Sequence, residues 1–298
     1  MKGPLIECIP NFSEGQKPQV IEAILDTLRA KDGIRLLDYS SDKDHNRTVV
    51  TLVGTPEGLL THIPLFVKKA KELIDLRQHK GQHPRMGAVD VLPFVPVRGI
   101  TMEETVDLSK KMAQKLHEQL DVPIFLYESS ASAKHRENLA SLRKGQFEGM
   151  AEKIKKEEFK PDYGRELHES FGIMAVGARA FLVAFNVNLA TDKLEIANQI
   201  AKNVRHISGG LRFVKGMGVA LEDRGQVQVS MNLTDFSKTP IHRVFELIKI
   251  EASRYGVSVV GSEIVGLVPM AAMIDTAAWY LKTENFSEEQ VLEAKLME

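Results

Sequence analysis

Residues 34–56, IRLLDYSSDKDHNRTVVTLVGTP, decide the fold of this chain. Residues 34–39 and 48–53 are rich in apolar and β-branched side chains, and they predict two strands joined by a polar turn over residues 40–47. Thr55 and Pro56 then give a helix start, because a capping side chain is followed by proline at the first helical position. The stretch therefore predicts the strand pair at the centre of a βαββαβ unit.

The sequence on both sides completes this unit. Residues 5–9 are a short apolar run, residues 20–28 place apolar side chains at helical spacing, and residues 89–97 predict a strand after the helix of residues 55–74. A further helix is predicted over residues 101–120, where Thr101 and Glu104 have the spacing of a capping box. Residues 122–127 predict one more strand.

The same order of elements recurs in the second half. Strands are predicted at residues 181–189, 213–221, 227–233 and 257–260, and helices at residues 191–207 and 239–252. Thr239 and Pro240 start a helix after the strand pair, as Thr55 and Pro56 do in the first half. We predict an α+β chain of two ferredoxin-like βαββαβ subdomains with mixed or antiparallel sheets, residues 1–177 and 178–298, and a boundary near Gly177.

Composition excludes several classes of protein. The formal net charge of -1 argues against nucleic acid as the main partner, because such proteins carry a basic excess. Cys8 is the only cysteine, so an intramolecular disulfide and a thiolate metal cluster are excluded. The sequence has no apolar run of the ~20 residues that a membrane span needs, and its start does not resemble a signal peptide. We expect a cytoplasmic protein that acts on small molecules.

The segment of residues 79–90, HKGQHPRMGAVD, is the strongest candidate for chemistry. Gly81 and Pro84 exclude a helix there, and a loop next to a rigid strand is a common place for catalytic groups. Histidine is the side chain best matched to proton transfer at neutral pH, so His83 is the predicted general acid and base. The alternative is that His83 only bonds the loop backbone. His79 and His83 have the spacing of a zinc pair, but that pair needs a helix, and we expect no metal.

Other polar positions are open to two interpretations. Asp38, Asn46 and Arg47 lie beside the predicted turn, either as ordinary turn residues or as groups that position a substrate. Arg85 joins them as a positioning candidate. The sequence Gly216-Met217-Gly218 lacks the third glycine of a dinucleotide motif and predicts close backbone packing or a bulge. Residues 164–172 are a glycine-bounded loop, either a linker or a ligand loop, and consist of Gly164, Arg165, Glu166, Leu167, His168, Glu169, Ser170, Phe171 and Gly172.

Four long blocks resemble glutamate formimidoyltransferase. They are ECIPNFSEG at residues 7–15, HPRMGAVDV at residues 83–91, LVAFNVNL at residues 182–189 and VGSEIVGLVP at residues 260–269. Because the blocks are specific and lie in both halves, the resemblance covers essentially the whole chain.

The resemblance implies a fold and a reaction. In that family two subdomains of β-sheet with outer helices enclose a folate tunnel, and a formimidoyl group moves between N-formimidoyl-L-glutamate and tetrahydrofolate, a step of histidine degradation and one-carbon metabolism. The catalytic histidine of the family matches His83, and its folate-contacting loop matches residues 164–172. An imidazole with an ordinary pKa near 6.5 suits both proton transfers of this reaction. The resemblance also implies a homodimer, and we expect no cyclodeaminase activity.

Two alternatives stay open at this level. The same pocket would suit formyl transfer from 5-formyltetrahydrofolate to glutamate, and the sequence does not separate the two donors. A non-catalytic folate- or RNA-binding module is the alternative of another class, because ferredoxin-like units often bind RNA or small regulators. That alternative leaves the segment of residues 79–90, the histidine loop, unexplained. The aromatic strand signature of RNA-binding sheets is also missing.

Overall fold

A computed structural model describes residue 1 and residues 3–297 of the chain. The chain divides into two compact units, residues 1–179 and residues 180–298, and each is described by itself. Gly177 lies within the last strand of the first unit.

The first unit contains seven strands and five α-helices among its described residues. The strands are β1 Leu5–Cys8, β2 Asn11–Phe12, β3 Ile34–Asp42, β4 Arg47–Gly54, β5 Val89–Arg98, β6 Ile124–Leu126 and β7 Met174–Ala178. The helices are α1 Pro18–Leu25, α2 Pro56–Leu73, α3 Met102–Leu120, α4 Leu139–Arg143 and α5 Gln146–Lys153.

The two long helices begin where the capping residues predict. The side chain of Thr55 accepts a hydrogen bond from the backbone N–H of Gly58, and Pro56 follows at the first helical position of α2. At α3, Thr101 and Glu104 satisfy each other's backbone N–H groups in a complete capping box. Both caps satisfy N–H groups that the helix itself leaves without partners.

One mixed sheet forms the centre of the first unit. Strand β4 pairs antiparallel with β3 on one side and with β1 and β2 on the other, and β1 and β2 both pair antiparallel with β5. Strands β5, β7 and β6 then run parallel to one another. The sheet is thus antiparallel around the predicted strand pair and parallel beyond β5.

The two faces of this sheet are covered differently. Side chains of α1, α2 and α3 pack on one face against Val50 and Leu52 of β4 in a single apolar core. On the opposite face, α4 and α5 cover the region of β5 and β7, where Val91 and Ala175 are buried. Along β4, the side chains on that second face, beginning with Arg47, are only half-buried. This open part of the sheet is where polar side chains can meet a ligand.

The structure extends the sequence predictions in three places. Strand β3 continues through Asp42 instead of ending at residue 39, because Ser41 and Asp42 pair with Thr48 and Arg47, and the hydroxyls of Ser41 and Thr48 lie 2.8 Å apart. The strands β2 and β7 were not predicted. Strand β2 has only two residues, too few for a recognisable pattern. Strand β7, which follows the loop of residues 164–172, is buried on both faces, so its sequence does not alternate between apolar and polar residues.

The second unit is a four-stranded antiparallel sheet covered by helices. Its strands β8 Val183–Leu189, β9 Val214–Leu221, β10 Gln226–Leu233 and β11 Val259–Val265 lie in the order β11-β8-β10-β9. Its helices are α6 Leu194–Val204, α7 Ile241–Ser253, α8 Met270–Leu281 and α9 Leu292–Met297. Apolar residues of α6 and α7 pack on one face of this sheet.

Gly218 explains the glycine pair of β9. A Cβ at this position would lie 2.7 Å from the backbone nitrogen of Asn198 in α6, so only glycine allows the strand to pass this close to the helix. Of the two predicted alternatives, close backbone packing is confirmed at Gly218, and β9 pairs with β10 without a bulge. None of the described helices is long and apolar enough to cross a membrane.

Candidate active site

Asn46 fastens the histidine loop to the turn between β3 and β4. It is buried with a positive φ of 49°, and its side chain donates to the backbone oxygen of Lys80 over 2.8 Å and accepts from the N–H of Gly15 over 2.8 Å. Its own carbonyl accepts from Nε2 of His79 over 2.9 Å. The predicted positioning residue Asn46 is therefore occupied in joining three segments of the first unit.

Two glycines let these segments approach. A Cβ on Gly15 would lie 2.2 Å from the backbone oxygen of Asp42, and a Cβ on Gly81 would lie 2.4 Å from the backbone oxygen of His45. Since any side chain would push the backbones apart, both positions require glycine. This packing explains why Gly15 stands in the segment of residues 7–15 and Gly81 in the segment of residues 79–90.

His83 lies half-buried at the end of this packed region. Its Nε2 is 2.5 Å from Nη1 of Arg47, and the ring of His45 stands nearly edge-on with a centroid distance of 6.3 Å. Burial, followed by the positive charges of Arg47 and Arg143, lowers the pKa of His83 to about 2. The ring is neutral at pH 7, and its pKa departs from the ordinary value near 6.5 on which the sequence prediction was based.

Arg47 begins β4 on the open face of the sheet. Burial and the nearby charge of Arg143 lower the pKa of its guanidinium. Asp42 pairs with it across the two strands, but the carboxylate of Asp42 accepts from Nδ1 of His45 and from the backbone N–H groups of Asp44 and His45. Arg47 thus contacts His83 rather than a carboxylate, and the charges of Asp90 and Asp42 offset its own only from a longer distance.

Arg85, the other predicted arginine, is held by a carboxylate. It is buried, and its two terminal nitrogens donate to the two oxygens of Glu148 over 2.9 and 2.6 Å. Its Nε donates to Nδ1 of His79 over 3.1 Å. With its other nitrogen donating to Asn46, His79 is a neutral spacer between Arg85 and the turn, and burial lowers its pKa.

A third arginine, Arg143 at the end of α4, was missed by the sequence predictions. Its Nε and Nη2 donate to one oxygen of the buried Asp90, and the other oxygen of Asp90 accepts from the N–H of Met86 over 2.7 Å. No local pattern in residues 134–165 indicates that Arg143 binds Asp90, or that the exposed side chain of Glu148 binds Arg85.

Asp38 lies apart from this cluster. It is exposed on β3 opposite Thr51, on the same face as Arg47 but four residues along the strand from Asp42. That spacing corresponds to about 13 Å along a strand, so Asp38 is beyond contact with Arg47.

The loop of residues 164–172 borders a surface cavity of about 670 Å³. Residues 164–170 line it together with Arg77, His117, Asp121 and Pro123, whereas Phe171 is fully buried in the core. The end of the loop pairs with the histidine loop, since the N–H of Ala88 donates to the oxygen of Phe171 over 2.7 Å. His79 and His83 are not among the lining residues, so the structure joins the two loops through backbone rather than in one cavity.

The second unit has a polar sheet face that the sequence analysis did not single out. Asn186 and Asn188 of β8 are buried on the face opposite the helices. Nε2 of Gln228 donates to Oδ1 of Asn188 over 2.9 Å, and Asn186 faces Glu263 across β8 and β11. Amides buried at the centre of a sheet, away from its core, are a second candidate ligand surface. The signal was present in the polar alternation of AFNVNL, residues 184–189.

The chemistry of the cluster is that of proton transfer beside anion-binding groups. A neutral imidazole next to a guanidinium can accept a proton while the guanidinium holds a carboxylate. Within residues 3–297, no group of three or more histidine, cysteine or acidic side chains is arranged to hold a metal ion.

Comparisons with known proteins place nearly the whole chain in one family. The family model "Formiminotransferase domain, N-terminal subdomain" matches residues 5–179, and the model "Formiminotransferase domain" matches residues 184–297. A Streptococcus pyogenes protein named glutamate formimidoyltransferase is 52% identical over 295 residues, covering 98% of this chain and 99% of that protein. A Thermoplasma acidophilum protein of the same name is 44% identical, covering 98% of this chain and 97% of that protein.

A relative with a longer chain is also similar. A Rattus norvegicus protein named formimidoyltransferase-cyclodeaminase is 44% identical over 288 residues, which cover 94% of this chain and 53% of that protein. The chain therefore matches nearly the full length of proteins named for one activity, and about half the length of a protein named for two activities. This chain belongs to the formiminotransferase family.

Proposed function

We propose that this chain is a transferase that moves the formimidoyl group between N-formimidoyl-L-glutamate and tetrahydrofolate, giving 5-formimidoyltetrahydrofolate and L-glutamate. The observation that carries the proposal is the likeness over nearly the full chain to proteins named glutamate formimidoyltransferase. The neutral His83 beside Arg47 supports it from the geometry. Tetrahydrofolate acts as co-substrate, and the reaction belongs to histidine degradation and one-carbon metabolism.

The reaction needs one group that both accepts and returns a proton. The N5 amine of tetrahydrofolate attacks the amidine carbon and gives a tetrahedral intermediate, after which the bond from that carbon to the glutamate nitrogen breaks. His83 takes the hydrogen of N5 and returns it to the departing nitrogen. A positioned imidazole typically contributes about 10²–10⁴ in rate, and holding both substrates supplies much of the remainder.

The other predicted positions have different parts in this proposal. Arg47 faces the amino-acid substrate, while Asn46 and Arg85 hold the histidine loop through the bonds described above. Asp38 lies on the same open sheet face, at a distance that a folate-sized ligand spans. For residues 164–172 we keep the role of a folate-binding loop, which the adjoining cavity supports.

Each unit has the topology of a ferredoxin-like fold in this proposal. The orders β3-β4-β1-β5 in the first sheet and β9-β10-β8-β11 in the second support it, with β6 and β7 as an extension of the first. The tunnel between the units, the homodimer and the cytoplasmic location stay predictions.

A two-donor assay of the purified protein tests the function. Tetrahydrofolate with formimidoylglutamate should give 5-formimidoyltetrahydrofolate, followed by absorbance, and 5-formyltetrahydrofolate with glutamate should turn over far more slowly. Faster turnover of the formyl donor would favour the alternative reaction. Folate binding without either transfer would favour a non-catalytic module.

A further inference from the structure

Arg47 meets His83 at the ring nitrogen that the reaction needs. Nη1 of Arg47 lies 2.5 Å from Nε2 of His83. A guanidinium has only donors, so Nε2 is the acceptor and the hydrogen of the neutral ring lies on Nδ1. The lone pair that would take a proton from a substrate is therefore occupied by Arg47.

Arg47 also differs from its two neighbouring arginines, because among the described residues no carboxylate contacts it in an ion pair. Arg85 is held by Glu148, and Arg143 by Asp90. For Arg47, the part of the chain that the structure describes places no carboxylate within 4.0 Å, and the charges of Asp90 and Asp42 raise its pKa only from a longer distance.

The acid nearest to Arg47 in the sheet is already engaged. Asp42 gives one oxygen to Nδ1 of His45 and the other to two backbone N–H groups of the turn. Burying a cation without a counter-ion is costly, and a guanidinium is the group best shaped to bind a carboxylate through two hydrogen bonds. Arg47 therefore offers an incoming carboxylate a binding partner that the protein itself does not supply.

We propose that a carboxylate of the glutamate moiety draws the guanidinium of Arg47 away from Nε2 of His83. This inference rests on the proposed function and adds to it a positioning residue and an order of events. The amino-acid substrate binds Arg47 first, and only then is His83 free to act as a base. A folate bound alone meets an imidazole whose lone pair is still covered.

The proton and bond changes balance without any further reactant. As the bond between N5 and the amidine carbon forms, the hydrogen of N5 passes to the freed Nε2. As the bond between that carbon and the glutamate nitrogen breaks, Nε2 returns the hydrogen to that nitrogen. The ring ends the cycle neutral, and Arg47 covers it again when glutamate leaves.

The charges around the ring agree with this order. Besides burial, the groups that lower the pKa of His83 are Arg47 on β4, Arg143 on α4, His45 in the turn and His79 in the histidine loop. A carboxylate bound to Arg47 neutralises the charge that has the largest effect on the pKa of His83. Binding of glutamate should therefore raise the pKa of His83 while leaving the other three groups in place.

Histidine NMR of the whole protein tests this directly, with glutamate as the probe. In protein labelled at its histidines, and with the signal of His83 assigned through His83→Asn, the ring should stay neutral down to pH 5. Saturating glutamate should raise its pKa far enough that protonation of the ring becomes visible above pH 5. In Arg47→Gln the pKa should be raised already, and glutamate should add little.

Kinetics of the same variants give a second readout. Losing one charge-assisted pair should raise the KM for formimidoylglutamate in Arg47→Gln by about 10- to 100-fold and leave the KM for tetrahydrofolate within about threefold. Arg47→Lys keeps the charge but loses the paired geometry, so its KM should lie between those of wild type and Arg47→Gln. Arg29→Gln, an exposed arginine just after α1, is the matched control and should behave as wild type.

The outcomes separate this inference from the proposed function. A pKa of His83 that glutamate leaves unchanged, or an unaltered KM for formimidoylglutamate in Arg47→Gln, overturns the inference even if transfer is normal. Absence of formimidoyl transfer by the wild type overturns the function, yet the NMR titration with glutamate can still be read. Circular dichroism of Arg47→Gln and Arg47→Lys shows whether either variant is misfolded, and the other then carries the test.

Discussion

Asp90 of β5 and Arg143 of α4 form a buried ion pair beneath the histidine loop. The exposed fraction is 2% for the side chain of Asp90 and 17% for that of Arg143, and the second oxygen of Asp90 holds the N–H of Met86. The pair thus links α4, which no local sequence pattern places near the site, to the segment that contains His83.

Replacing Asp90 by asparagine should destabilise the protein strongly. Because Arg143 would keep its charge in a buried position without a partner, we expect Asp90→Asn to lower the free energy of unfolding by about 3–5 kcal/mol. Urea denaturation followed by circular dichroism measures it. Glu72→Gln, which removes an exposed pair with Lys69, is the control and should cost at most about 1 kcal/mol. Equal losses in both variants would show that the Asp90 pair has no special weight.

Adding a methyl group at Gly81 should impair catalysis more than folding. Its Cβ would lie 2.4 Å from the backbone oxygen of His45, so the histidine loop must move relative to the turn. A displacement of about 1 Å at a reacting group can cost about 10²-fold, and we expect a loss of that order in kcat/KM for Gly81→Ala. Gly149→Ala in α5, where a Cβ meets no atom within 4 Å, should keep full activity and gain up to about 1 kcal/mol of stability. An active Gly81→Ala protein would refute the close packing of loop and turn.

Gly81 and Asp90 also show what can and cannot be predicted from the sequence. The strand pair, the capped helices α2 and α3 and the importance of residues 79–90 follow from local signals, namely periodicity, Thr-Pro starts and a loop with glycine and proline. The contact of Gly81 with the turn and the pairing of Asp90 with Arg143 join positions more than 30 residues apart. No local propensity encodes such contacts. The burial of His83 and the approach of Arg47 and Arg143, which lower its pKa, likewise depend on the assembled fold.

The pH dependence of stability should report the low pKa of His83. Its pKa is about 2 in the folded protein and near 6.5 in the unfolded chain, so between these values the unfolded chain binds more protons. The free energy of unfolding therefore falls as the pH is lowered below about 6.5, and His83 contributes at most about 2 kcal/mol of loss between pH 6.5 and pH 5. His79, whose pKa is also lowered, acts in the same direction.

The variant His83→Asn isolates that contribution. It keeps a polar side chain without the titration, so it should lose less stability than the wild type when the pH falls from 7.5 to 5.0 in urea denaturation. The part of the stability loss that comes from groups other than His83 should be similar in the two proteins. If both lose the same free energy, His83 titrates near its ordinary pKa and the electrostatic effect of Arg47 and Arg143 is absent.

The cavity beside residues 164–172 should contribute to folate binding. Arg165 is exposed at its edge, and the glutamate tail of folate carries carboxylates, so Arg165→Ala should raise the Kd for tetrahydrofolate by about 3- to 10-fold through loss of one exposed charge pair. Fluorescence titration measures it, with Arg254→Ala, at an exposed residue just after α7, as the control. An unchanged Kd would remove Arg165 from the folate site.

Turnover of His83→Ala with formimidoylglutamate and tetrahydrofolate tests the central claim most directly. Loss of the proton relay should lower kcat by about 10²–10⁴, while the Kd for tetrahydrofolate stays within about threefold, because the ring moves a proton rather than holding the folate. A kcat close to that of the wild type would contradict the account and remove His83 from the reaction.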